Sequence, residues 1–131
     1  MLEVEQRTEF DCLQACLASI FECAYEETPE IFDPLTGKQM KKGNWLHQLR
    51  WWAEGRGHMV DVFFLDGLEA PEWGGKRFGP RKHWMAGVIS PLGPPGHGIV
   101  MLGDEIAYNP DPFPTDPVHL GFRNGYVFSR A

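Results

Sequence analysis

Cys12 stands at the start of an apolar, helix-patterned run, six residues after Gln6, and His97 opens the segment His97-Gly98-Ile99-Val100-Met101 far downstream. These residue types suit covalent catalysis by a thiol. A helix N-terminus presents unpaired N–H groups and the positive end of the macrodipole, and both favour a thiolate. A histidine can exchange protons with that thiol, and a glutamine amide can donate to an oxyanion. The imidazole then needs a third group to hold its tautomer and orientation. Asn109 and Asp111, just past a short strand pattern at Glu105 to Tyr108, are the candidates.

Each of these residues also has a plainer reading. Cysteine is often a buried packing residue, and Cys16 and Cys23, on the same wheel face as Cys12, read that way. Only Cys12 falls in the first turn, where the dipole acts. A three-thiolate metal site is formally open, but zinc sites normally use short Cys-x-x-Cys pairs, and the chain has none. No metal or cofactor is therefore expected. Asn109-Pro110-Asp111-Pro112 doubles as ordinary turn chemistry. His97 differs from His47, His58, His83 and His119 in opening a buried strand, where an imidazole can face a helix N-terminus. His47 and His58 read as solvated.

Positioning these groups falls to a helical first half and a β second half. Asp11 is a plausible N-cap for a helix from Cys12 to Cys23. One half of its wheel carries Cys12, Leu13, Cys16, Leu17, Ile20, Phe21 and Cys23; the other carries Gln14, Ala15, Ala18, Ser19 and Glu22. Thr28-Pro29-Glu30 looks like a second, short helix start. Asn44 caps a third helix from Trp45 to about Glu54, stopped by Gly55 and Gly57. Strands are expected at Met59 to Leu65, His83 to Ile89, His97 to Leu102, Glu105 to Tyr108 and Gly125 to Ser129. Between them lie a Gly/Pro-rich loop from Asp66 to Lys82, a turn from Ser90 to Gly96 and a proline-rich stretch from Asn109 to Pro117. Helices first and antiparallel strands after give an α+β fold.

Composition narrows the function classes. The 131 residues suffice for one domain, 1–131, with a core of its own. A net charge of −6 argues against nucleic acid or an acidic membrane as a partner. The one basic cluster, Lys76, Arg77, Arg81 and Lys82, reads as a solvated loop rather than a substrate-facing patch. No apolar run approaches the ~20 residues of a membrane span, and the first residues lack the pattern of a signal peptide. Three cysteines without disulfide spacing point to a reducing cytoplasm. The oligomeric state is left open.

The segment Gln6-Arg7-Thr8-Glu9-Phe10-Asp11-Cys12, followed by Ala15-Cys16-Leu17-Ala18-Ser19-Ile20, resembles the Gln…Asp-Cys-Gly-x-Ala-x-Leu-Ala start of the double-glycine leader peptidases of bacteriocin exporters. The Gln-to-Cys spacing is the same, and Leu13 replaces their glycine. The later segments Trp84-Met85-Ala86-Gly87-Val88-Ile89-Ser90-Pro91, Gly96-His97-Gly98-Ile99-Val100 and Tyr108-Asn109-Pro110-Asp111-Pro112 are similar to those of small stand-alone papain-like cysteine peptidases of bacteria and phages. In that family a Gly-His-Ala-Val-Val strand is followed by His-Asp-Pro-His-Pro. By position Asn109 takes the place of the family aspartate, and Asp111 stands where the family has histidine. The resemblance runs from about Val4 to Asp111. It implies a papain-like fold and a Cys12–His97–Asn109 set, with Asp111 as the alternative third residue. Gln6 and the Cys12 N–H would bind the oxyanion. No exporter membrane domain follows, so leader cleavage is not implied.

The expected activity is thiol-dependent hydrolysis of a peptide or other amide, with a peptide or protein substrate. Deamidation and acyl transfer to an amine use the same apparatus. The alternative is a papain-fold binding module with little or no turnover that sequesters a host or partner protein. Trp73, Phe78 and Trp84, with the Asp66 to Lys82 loop and the Gly93-Pro94-Pro95-Gly96 turn, are expected to border the cleft or to pack in the core.

Overall fold

The structure, a computed structural model, describes residues 1–8, 10–64, 79–88, 97–110 and 122–130. Two α-helices, α1 (Cys12–Phe21) and α2 (Trp45–Gly55), precede five strands: β1 (His58–Phe64), β2 (His83–Val88), β3 (His97–Leu102), β4 (Glu105–Tyr108) and β5 (Phe122–Arg130). The strands form one antiparallel sheet in the order β1-β5-β2-β3-β4. The α+β class is as expected. Most boundaries fall within two residues of the sequence reading.

Period-two alternation buries both faces of this sheet. Met85, Val100, Tyr126 and Phe128 join Leu13, Cys16 and Leu17 of α1 and Leu49 and Ala53 of α2 in one cluster. Trp84, Ala86, Val88, Ile99, Met101, Phe122 and Val127 form a second. Trp84 therefore packs in a core, with its indole N–H donating to the Gly103 carbonyl at 2.7 Å, rather than bordering a cleft.

Several expectations are corrected. α1 is buried on both halves of its wheel: Gln14, Ala15, Ala18 and Ser19 are as enclosed as Leu13 and Leu17. Small side chains there let the helix sit close to its surroundings, and Gln14 is satisfied by the Thr28 hydroxyl at 3.1 Å. The helix stops at Phe21 because Glu22 takes a left-handed conformation, φ 52°, so Cys23 lies outside it. No helix begins at Thr28. A 3₁₀ turn occupies Tyr25–Glu27 instead, and the Thr28 hydroxyl is spent on the Tyr25 carbonyl. The chain then runs on to bury Ile31 against the helices. β5 starts at Phe122, three residues before the expected start. Pairing of Asn124 and Gly125 with Phe64 and Phe63 of β1, and of Phe122 and Asn124 with β2, extends the strand back past Gly125. His58 opens β1 and packs edge-on to Phe21 rather than standing solvated. Lys82 donates from Nζ to the Phe128 carbonyl at 2.6 Å, so it is not part of a solvated basic cluster.

Trp73, Phe78, Lys76, Arg77, Asp111, His119 and the Gly93-Pro94-Pro95-Gly96 turn lie outside the described residues. Among the described residues no helix is long and apolar enough to cross a membrane.

Candidate active site

Cys12 and His97 line one cleft of about 230 Å³, between the N-terminus of α1 and the sheet. Two local features bring them there. β3 and β4 pair only as far as Val100↔Tyr108, with a bulge at Val100/Met101. Beyond that point the Gly98 N–H is available, and it donates to the Cys12 sulfur at 3.3 Å. A bulge also bends the strand that carries it, and the residue just after β4 is Asn109. His97 Nε2 lies 2.7 Å from Asn109 Oδ1.

That contact sets the tautomer. An amide oxygen can only accept, so Nε2 carries the hydrogen and the lone pair of a neutral ring resides on Nδ1. The arrangement leaves Nδ1 as the ring atom that can exchange a proton. Gly98 also lies against α1: a Cβ there would stand 3.5 Å from Cys16 Sγ and 3.9 Å from the Cys12 carbonyl, both ordinary contact distances.

Electrostatics at Cys12 run against the sequence expectation that a helix start lowers the thiol pKa. Burial pushes it up instead, and the neighbouring Asp11 carboxylate adds to the rise, outweighing the hydrogen bonds from Gly98 and Leu13 that favour the thiolate. Cys16 is raised further by full burial, and Cys23 is raised by partial burial. Removing a thiolate from water costs more here than a few amide dipoles return.

Asp11 occupies the N-cap position but makes no cap hydrogen bond. Its carboxylate, 2% exposed, instead accepts from the backbone N–H groups of Arg7 at 2.8 Å and Thr8 at 2.9 Å, and from the Tyr25 hydroxyl at 2.6 Å. Gln6, 8% exposed, donates from Nε2 to the Thr8 carbonyl at 2.7 Å. Its backbone N–H donates to the Pro110 carbonyl at 2.9 Å, which ties it to the chain next to Asn109. Its Oε1 is buried without a partner among the described residues. His97 and Asn109 are thus in direct contact, Cys12 shares the cleft with His97 and is bonded to its neighbour Gly98, and Gln6 is linked to this group through Pro110 and Thr8.

The cleft continues away from His97 across β2 and β5. Phe32, Trp45 and Tyr126 form its wall, with Trp45 5.7 Å from both neighbouring rings. Asn124 lies over Gly87, where a Cβ would fall 2.1 Å from its Oδ1. Its side chain hydrogen-bonds Tyr126, whose phenol burial pushes up to about 12. Sequence reasoning does not single out these wall residues. Their only signal is aromatic type, which equally marks core. The volume admits one phenyl-sized group, since a ~150 Å³ apolar cavity holds benzene. Among the described residues no cluster of three His, Cys, Asp or Glu is placed to hold a metal ion.

Set against protein families, curated proteins and solved structures, the chain matches none.

Proposed function

We propose that this protein is a thiol-dependent hydrolase of papain-like fold that cleaves a peptide or other amide. The observation that carries the reading is the 2.7 Å contact of His97 Nε2 with Asn109, in the same cleft as a sulfur held by the N–H of the next residue, Gly98. The resemblance of the Gln6-to-Cys12 and Gly96-to-Val100 segments to papain-like peptidases points the same way.

With the thiol protonated at rest, His97 acts as general base. Its Nδ1 takes the Cys12 proton as sulfur attacks the carbonyl carbon. The oxyanion is stabilised by the Cys12 N–H and by the second Nε2 hydrogen of Gln6. Collapse breaks the C–N bond, and the imidazolium gives its proton to the leaving amine. Water, deprotonated by His97, then attacks the thioester, and the carboxylic acid leaves as the thiol is restored. Asn109 keeps the ring in place through both halves.

A second reading has one observation of its own. The burial that raises the Cys12 thiol suits a weakly active or inactive binding module that sequesters a partner protein. A panel of peptide and amide substrates against wild type, Cys12→Ala and His97→Ala separates the two. Turnover lost in both variants supports the hydrolase. Equal turnover in wild type and Cys12→Ala overturns it, and no turnover with tight binding of a partner favours the module.

A further inference from the structure

Asp11 is the most heavily bonded side chain near the nucleophile, and its placement serves neither capping nor thiolate formation. Four donors converge on it: Arg7 N–H and Tyr25 O–H on Oδ2, Thr8 N–H and Thr8 Oγ1 on Oδ1 at 2.8, 2.6, 2.9 and 3.3 Å. A buried carboxylate with this many partners is rigid. What it holds is the turn of residues 7 and 8. The Thr8 carbonyl of that turn is the acceptor for Gln6 Nε2. The path runs from Asp11 through the Thr8 backbone to the Gln6 carboxamide in two hydrogen bonds.

We propose that Asp11 is a positioning residue for acyl transfer, locking the 7–8 turn so that the Gln6 carboxamide stays aimed at the oxyanion. The inference rests on Cys12 being the acyl-accepting nucleophile. The same carboxylate stands next to the sulfur and opposes ionisation of the thiol. Asp11 therefore acts in two opposite senses on two reactions of one sulfur, and that opposition gives the test.

Among the described residues, the charged and titratable groups around the pair are few. Arg7 stacks over the Tyr25 ring at 3.9 Å and pairs with Glu26 at 2.9 Å. Tyr25 feels Asp11 and Glu30. Cys16 lies behind Cys12 on α1, and His97 stands on β3. None of these reverses the sign of the Asp11 effect on the thiol.

Iodoacetamide alkylates a thiolate with no oxyanion forming. p-Nitrophenyl acetate acylates it through a tetrahedral oxyanion, forming a thioester and releasing p-nitrophenolate while the thiol proton passes to His97. The full chain and its Asp11→Asn variant are compared with both reagents, each followed at Cys12 by peptide mapping. Alkylation at neutral pH is expected to rise in Asp11→Asn, because a negative neighbour is gone, while acylation falls. Loss of one oxyanion donor costs ~10²–10³-fold, so a displaced one should lower the acylation-to-alkylation ratio by at least about tenfold. Gln6→Ala should lower acylation with alkylation unchanged, and Asp11→Asn should add little on top of it. Tyr25→Phe removes one donor from Asp11 and keeps the charge. It should move the ratio the same way by less, and it becomes the deciding variant if Asp11→Asn does not fold. An unchanged ratio, or additive losses in the Asp11→Asn/Gln6→Ala double variant, overturns the Asp11 role and leaves the nucleophile standing. Wild type that acylates no faster at Cys12 than at Cys23 overturns the hydrolase reading and the Asp11 role together.

Discussion

Gly87→Ala should destabilise the protein, yet the same substitution should be neutral or stabilising once Asn124 is gone. The added Cβ would stand 2.1 Å from Asn124 Oδ1 and a tight 3.3 Å from Cγ of the same amide, while Tyr126 Cε2 at 3.8 Å would be an ordinary contact. The collision is with one amide. Overpacking of this kind costs about 1–3 kcal/mol, and displacing the amide also breaks its hydrogen bond to Tyr126, worth roughly 1 kcal/mol. We expect Gly87→Ala to lose about 2–3 kcal/mol, a fall in Tm of roughly 6–15 °C for a domain of this size. Asn124→Ala alone should lose about 1–2 kcal/mol, by leaving the buried Tyr126 hydroxyl without that donor. In the Asn124→Ala background the methyl enters vacated space, and replacing strand glycine by alanine gains about 0.5–1 kcal/mol. Urea unfolding of the four proteins, with equal m-values as the control for two-state behaviour, measures the cycle. Additivity within ~0.5 kcal/mol would refute the argument, because it would mean that Gly87 is there for some reason other than the Asn124 amide.

Asn109→Ala should slow turnover far more than Asp111→Ala, with both proteins folded, and the reverse order in steady-state rates would hand the orienting role to Asp111. Asn109→Asp should keep activity and move the acid limb of the pH–rate profile to higher pH, since a carboxylate 2.7 Å from the ring stabilises the imidazolium; a shift to lower pH would contradict the contact. Alkylation of the three thiols should rise with pH through values above the ordinary thiol range, with Cys16 the last to react; peptide mapping that finds Cys16 first would show that α1 does not pack as described. Stability should fall as pH rises from ~10 toward ~12: an unfolded tyrosine ionises near its ordinary value while Tyr126 keeps its proton to about 12, so a stabilisation present below ~10 is lost across that window, on the order of 2–3 kcal/mol. Denaturant midpoints at ~pH 9 and ~pH 11 check this, and Tyr126→Phe should lower the slope in part, because Tyr25, Tyr108 and the three thiols are also raised and add to it.

Much of the fold was readable from local pattern. Trp45, Leu46, Leu49 and Trp52 repeat at helical spacing after Asn44, and that side chain does cap α2, accepting from Leu46 N–H at 2.9 Å. The β3 and β4 strands end where the residue types say, because Gly103 and Asp104 make a tight turn, with Gly103 at φ 60°. Cys12, His97 and Asn109 could be named because their types and order carry chemistry independent of the fold. Long-range packing decided the rest. Thr28 reads as a helix cap until Gln14 and Tyr25 occupy its hydroxyl. The last strand reads as starting at Gly125, and pairing with two neighbouring strands carries it back to Phe122. The Cys12 thiol reads as acidified by its helix, a local effect, whereas its ionisation is governed by burial and by Asp11, which turns back toward residues 7 and 8 instead of capping α1. Sequence determines which groups can react and which segments can be helix or strand. Only the tertiary structure sets how much water each group keeps and which partner its last hydrogen bond finds, and those two quantities govern the site.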